Sequence, residues 1–227
     1  MSLYSLIIEN KWVLEVLYAL AVALICFIVV IKTDRFYRLS LHQGIRYFRN
    51  AFFFYGIAFI VRYLFGVLSD LEFEQVYAVQ VIFEYFLVMA GFFLLYSLVW
   101  RRFESGKENY FTSLFNSKVA VFHVMALIIA ILDNTWQTYY FMFASQILIF
   151  FYASIISFVN FRKNKNKQNF QKFYFVAMLL GLVAWTLNLL APLYFNWSSG
   201  LLIDVGAINI VFFLLFLYGV IKVTKIK

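Results

Sequence analysis

"WVLEVLYALAVALICFIVVI", residues 12–31, contains one charged side chain, Glu15, in 20 positions. A helix needs roughly 20 apolar residues to cross the ~30 Å hydrocarbon layer of a bilayer. This stretch meets that length and is apolar all round, as expected of a helix facing lipid and other helices. Glu9 and Lys11 precede it and no small-residue cleavage site follows it, so the reading is a retained span and not a cleaved leader.

Six further stretches read the same way: about 48–68, 76–100, 118–132, 138–161, 173–193 and 201–221. The fourth is the shortest and ends at Asp133-Asn134. The whole chain agrees with this reading, being 65% hydrophobic and only 13% charged with a mean hydropathy of +0.86. A soluble domain of 227 residues needs a charged skin that this composition does not supply. The expected fold class is therefore an all-α integral membrane protein, a single polytopic domain over 1–227 with seven transmembrane helices. The connections are too short to fold as soluble domains.

Charge sets the expected orientation. Of 19 Lys and Arg, 17 fall in segments that would share one side. They lie at 32–50, 101–118 and 162–172 and in the tail after 221, whereas the other connections carry Asp70, Glu72, Glu74 and Asp133 or read "NWSSG". Basic residues mark cytoplasmic loops, so the N-terminus is expected outside and the C-terminus inside. The formal charge of +8 is thus a topology signal and not a nucleic-acid footprint. The expected location is a cell membrane, most simply a prokaryotic plasma membrane. Trp12, Trp100, Trp136 and Trp197 fall near span ends, where aromatic rings favour the headgroup level.

Several chemistries find no residues to carry them. The single cysteine, Cys26, has no partner for an internal disulfide, and two histidines far apart in sequence give no metal-ligand spacing. Residues 201–221 contain no lysine, so the seventh span offers no Schiff-base site for retinal. No activated nucleophile or facing carboxylate pair is evident. The sequence therefore predicts no enzyme, no metal and no cofactor.

Two stretches resemble each other: "GFFLLYSLVWRR" (91–102) and "VFFLLFLYGVIK" (211–222), each closing on basic residues. They suggest two parallel three-helix units, spans one to three and five to seven, joined by the fourth. A chain this rich in Phe and Leu also matches itself by chance, so both readings stay open.

Polar residues inside spans are the candidate site. A charge at a helix centre costs roughly 2.5–3.5 kcal/mol on insertion scales, so each needs a reason. With a rise of about 1.5 Å per residue, Arg62 would lie ~9 Å and Glu84 ~12 Å from the outer ends of neighbouring spans, and an ion pair is expected. Gln146, Asn188 and Asn209 fall in the same outer half, with Trp185 well inside the sixth span. These six are the candidate ligand-binding residues, around an outward-facing polar cavity closed towards the cytoplasm by aromatics. Polar glue between helices explains the same residues without a ligand. His123 reads as a helix–helix hydrogen bond.

On the basic side, His42, Arg46 and Arg49 would share a helical face suited to lipid phosphates or a partner's acidic patch, or to plain interfacial anchoring. Three functions fit these features. One is a binding or sensory bundle for a small polar or anionic ligand, read by a separate cytoplasmic or membrane partner. Another is a small-solute transporter or channel, and the third a structural subunit of a membrane complex.

Overall fold

The computed structural model describes residues 11–40, 42–62, 73–103, 117–163, 168–195 and 199–225. Among them the chain is all helix: α1 (Lys11–Ser40), α2 (Gln43–Ile60), α3 (Phe73–Phe103), α4 (Ser117–Trp136), α5 (Tyr140–Lys163), α6 (Gln168–Phe195) and α7 (Ser199–Lys225). Five helices hold stretches long and apolar enough to cross a membrane: Glu15–Leu39, Tyr77–Trp100, Ser117–Trp136, Tyr140–Arg162 and Lys172–Ala191. The apolar segment recorded for α7 is the shorter Gly206–Lys222. The protein is thus an all-α, multi-pass membrane protein. Asp70, Glu72, Lys107, Lys165, Lys167, Trp197 and Lys227 lie outside the described residues.

Apolar side chains cover the outside as well as the inside. On α1, Leu17, Leu20, Leu24, Phe27 and Ile31 form an exposed stripe, while Ala19, Val22, Cys26 and Val29 form the buried one. Both stripes follow the helical repeat, which explains why the sequence shows no polar face. Water would not tolerate so much exposed hydrocarbon in a monomer, and lipid tails do.

The helices close into a ring. Neighbours pack in chain order, α1 on α2, α2 on α3, α5 on α6 and α6 on α7, and the ring closes through α3 against α5 and α7 against α1. The fourth helix packs on the outside of the α3–α5 junction, touching both. It buries a thin seam, Val119, Ala126, Ala130 and Asp133, whose small side chains let the helix approach closely.

Rings fill the middle. Twelve of the 18 residues of α2 are buried, making it the most enclosed helix despite its Arg46 and Asn50. Its Phe48, Phe52, Tyr55 and Phe59, spaced at helical repeats, meet Phe213 and Phe216 of α7 at centroid distances of 5.1–6.2 Å. Gly181 of α6 lies so close to Phe150 and Phe212 that a Cβ there would stand 2.5 Å and 2.8 Å from their ring carbons.

Several helices begin or end several residues away from the apolar runs, α2 at Gln43–Ile60 and α6 at Gln168–Phe195 among them, and two such boundaries bear on the site. The first helix runs on to Ser40, well past the apolar stretch, and its extension is tied by Asp34, which accepts from Arg38 at 2.9 Å and pairs with Arg49 of α2. The fourth runs to Trp136, so Asp133 is not in a connection; it is buried in the last turns of a helix. Hydropathy marks where lipid begins, whereas a helix continues as long as its backbone bonds are met and capped.

Candidate functional site

Asp133 explains how α4 hands over to α5. The α4 helix ends with Gln137 at φ +53°, its N–H donating to Asn134 O (3.3 Å) and Thr138 N–H to Asp133 O (2.9 Å). This left-handed residue with its nested pair of bonds is the Schellman stop signal, here without the usual glycine. The next helix begins at Tyr140, and its first N–H groups have no intrahelical acceptor. Asp133 supplies one from the preceding helix. Oδ1 accepts from Phe141 N–H (3.0 Å) and the Thr138 hydroxyl (2.9 Å), and Oδ2 accepts from Met142 N–H (2.6 Å). Both carboxylate oxygens are engaged, and the charge complements the positive end of α5.

This turn holds Thr138 and Tyr139 against α3. There Gln80 and Glu84, one helical turn apart, point the same way, and Gln80 Nε2 donates to Glu84 Oε1 at 2.8 Å. The same amide leans on Thr138 O at 3.4 Å. Glu84 is fully buried, and its other oxygen, Oε2, has no hydrogen-bond donor among the described residues. One turn deeper, Gln146 of α5 donates to Leu87 O at 3.2 Å, leaving its Oε1 also buried without a donor. Gly91 makes this contact fit, since a Cβ there would stand 2.7 Å from Gln146 Oε1.

Arg62 sits in the helical turn after α2, half-buried. Its guanidinium carbon lies 4.7 Å from the ring centre of Phe83 and 5.3 Å from that of Tyr139. Gln80 holds Glu84 Oε1 and no hydrogen bond reaches Oε2, so the expected ion pair with Arg62 is not a hydrogen-bonded one. Two aromatic faces, Phe83 and Tyr139, contact the cation.

No model of a known protein family matches this chain. No solved structure matches it either. An uncharacterized protein of Archaeoglobus fulgidus is 26% identical over 186 residues, 77% of each chain. That relative carries no stated activity, so the site has to be read from its chemistry.

The other candidates sit apart from this cluster or are engaged locally. Asn188 donates to Ala184 O of its own helix at 2.8 Å, a bond within α6. Trp185 packs its ring 6.2 Å from that of Phe143, and Asn209 is half-buried on α7. His123 shares a 2.6 Å hydrogen bond with Tyr85, which ties α4 to α3. Towards the basic connections, His42 precedes α2 and meets the Trp100 ring edge to face at 5.0 Å. Arg46 is buried with its guanidinium 6.0 Å from the Tyr37 ring centre, and Arg49 lies 5.9 Å from the same ring, donates to Asn50 Oδ1 at 3.2 Å and pairs with Asp34. Both arginines are thus engaged with the α1 extension.

The sequence reading passed over Gln80, Phe83, Thr138 and Tyr139. Gln80 was findable, standing four residues before an intramembrane glutamate. The rings were not, because a chain with 30 Phe and 16 Tyr gives no reason to single out two.

Proposed function

We propose that this protein is a multi-pass membrane binding or sensory protein whose recognition site is the polar cluster of Arg62, Glu84 and Gln146, flanked by Gln80 and Thr138. One observation carries the reading: two fully buried acceptors, Glu84 Oε2 and Gln146 Oε1, lack donors. A buried polar atom left unsatisfied costs about 1–3 kcal/mol, and more when it belongs to a charged group. These two lie one helical turn apart on the same α3–α5 junction, which is what supports reading them as one site. The unmet atoms are acceptors, so the fitting guest is a small polar molecule that donates hydrogen bonds, in preference to an anion. Binding would be passed to a separate partner on the side of the basic connections, with the N-terminus outside and seven helices crossing the membrane. The reading is of binding without catalysis.

Thermal unfolding in nanodiscs against a panel of small polar solutes tests the site. At least one hydrogen-bond donor should raise the midpoint of the wild type and leave Glu84→Gln unmoved. A panel that shifts nothing, or shifts both proteins equally, refutes the site.

A transporter is the second reading, favoured by the packing order. Units α1–α3 and α5–α7 pack alike and meet through corresponding junctions, α3 with α5 and α7 with α1, while α4 stays outside. Parallel repeats related by an axis along the membrane normal would give this pattern. Solute flux in proteoliposomes separates the two, since a binding protein that does not transport gives none.

A further inference from the structure

The site's two aromatic faces and its incompletely bonded carboxylate make up the chemistry of an organic-cation cage, and the chain's own Arg62 occupies it. We propose that the ligand of this site is an organic cation, a guanidinium or a primary amine, and that Arg62 is a tethered occupant which the ligand displaces. This rests on the preceding reading that the cluster binds a small molecule, and it names the class.

A cation within about 6 Å of a ring centre is attracted to the negative face of the ring, and the attraction grows as water is removed. Phe83 is 5% exposed, and with Tyr139 it places two such faces around one guanidinium, at 4.7 Å and 5.3 Å. Recognition of a donor-bearing cation needs one thing more, an acceptor with spare capacity. Glu84 is the residue next to Phe83, and its Oε2 has that capacity. Its neighbour Gln80 and the Thr138 carbonyl, one residue before Tyr139, tie the acid and the second ring into one site across the α3–α5 junction. A planar guanidinium can stack on a ring and donate in its plane to a carboxylate at the same time. Arg62 achieves the first of these, and no hydrogen bond from it reaches Oε2. A ligand not anchored to α2 can achieve both.

Displacement is geometrically open. Arg62 is half-buried, whereas Glu84 is fully buried, so the arginine is the lid of the site and the acid its floor. It follows α2 at a change from α to wider π-type turns, a local unwinding that recurs at functional positions.

The test compares the wild type, Arg62→Met, Arg62→Ala and Arg62→Met/Glu84→Gln in nanodiscs, by calorimetry with methylguanidinium, with urea as its neutral analogue and acetate as an anion. Two single variants are included so that one misfolding protein leaves the comparison intact. Methylguanidinium should bind Arg62→Met or Arg62→Ala at least tenfold more tightly than the wild type, and the double variant should lose that binding. Urea and acetate should not bind. If urea or acetate binds in a Glu84-dependent way and methylguanidinium does not, the cation class is wrong and the site survives. If no solute binds any folded variant, or binding ignores Glu84, both the class and the site fall.

Discussion

Replacing Asp133 with alanine should unfold the α4–α5 corner and with it weaken the whole bundle. The carboxylate accepts from two backbone N–H groups in the first turn of α5 and from the Thr138 hydroxyl. Hydrogen bonds to a charged group contribute about 1.5–3 kcal/mol each, and a buried N–H left without an acceptor costs about 1–3 kcal/mol. Met142 N–H is the most enclosed of the three donors, since its residue is 1% exposed. Summing one full penalty at Met142 with about 1 kcal/mol for each of the two less buried donors gives roughly 3–5 kcal/mol. Removing a buried charge recovers part of its desolvation cost, so the net loss should be about 3 kcal/mol. That corresponds to a roughly 150-fold change in the unfolding equilibrium. Asp133→Asn keeps one acceptor and should lose about half as much. The assay can use the chain's own reporter: Cys26 is the single cysteine and is 1% exposed, so a thiol-reactive fluorophore stays dark until α1 leaves the bundle. Detergent titration of the three proteins, followed by Cys26 labelling, gives the energies directly. An Asp133→Ala protein within about 0.5 kcal/mol of wild type would refute the idea that this carboxylate caps α5.

Glycine substitutions should rank by what their new Cβ meets. Gly181→Ala drives a methyl to 2.5 Å from the Phe150 ring and should cost about 1–3 kcal/mol, whereas Gly56→Ala meets only Cys26 Cβ at 3.3 Å and should cost clearly less; the same labelling assay reads both. Gln146→Leu removes a half-satisfied buried amide, so stability should stay within about 1 kcal/mol of wild type while any solute binding that depends on Glu84 is weakened, which calorimetry checks. Tyr85→Phe breaks the bond to His123 between α3 and α4 and should cost about 1 kcal/mol, visible as a lower unfolding midpoint.

The sequence by itself determined that this chain lives in a bilayer. Runs such as 12–31 have no polar face to offer water, and that is decided by composition before any contact forms. It also marked Arg62, Glu84 and Gln146 as unusual, because charge and amide in hydrocarbon are costly wherever the helices end up. Only the tertiary structure decided what those groups touch. Gln80 of the same helix can reach one oxygen of Glu84 in any packing, but whether the other finds a donor depends on how α3 faces its neighbours, and helices apolar all round carry no periodic signal that fixes that rotation. For the same reason Asp133 looked like a loop acid until the fold put it under the first turn of the next helix. Arg62 likewise looked destined for a carboxylate and instead lies on two rings, a choice made by packing geometry that hydropathy does not encode.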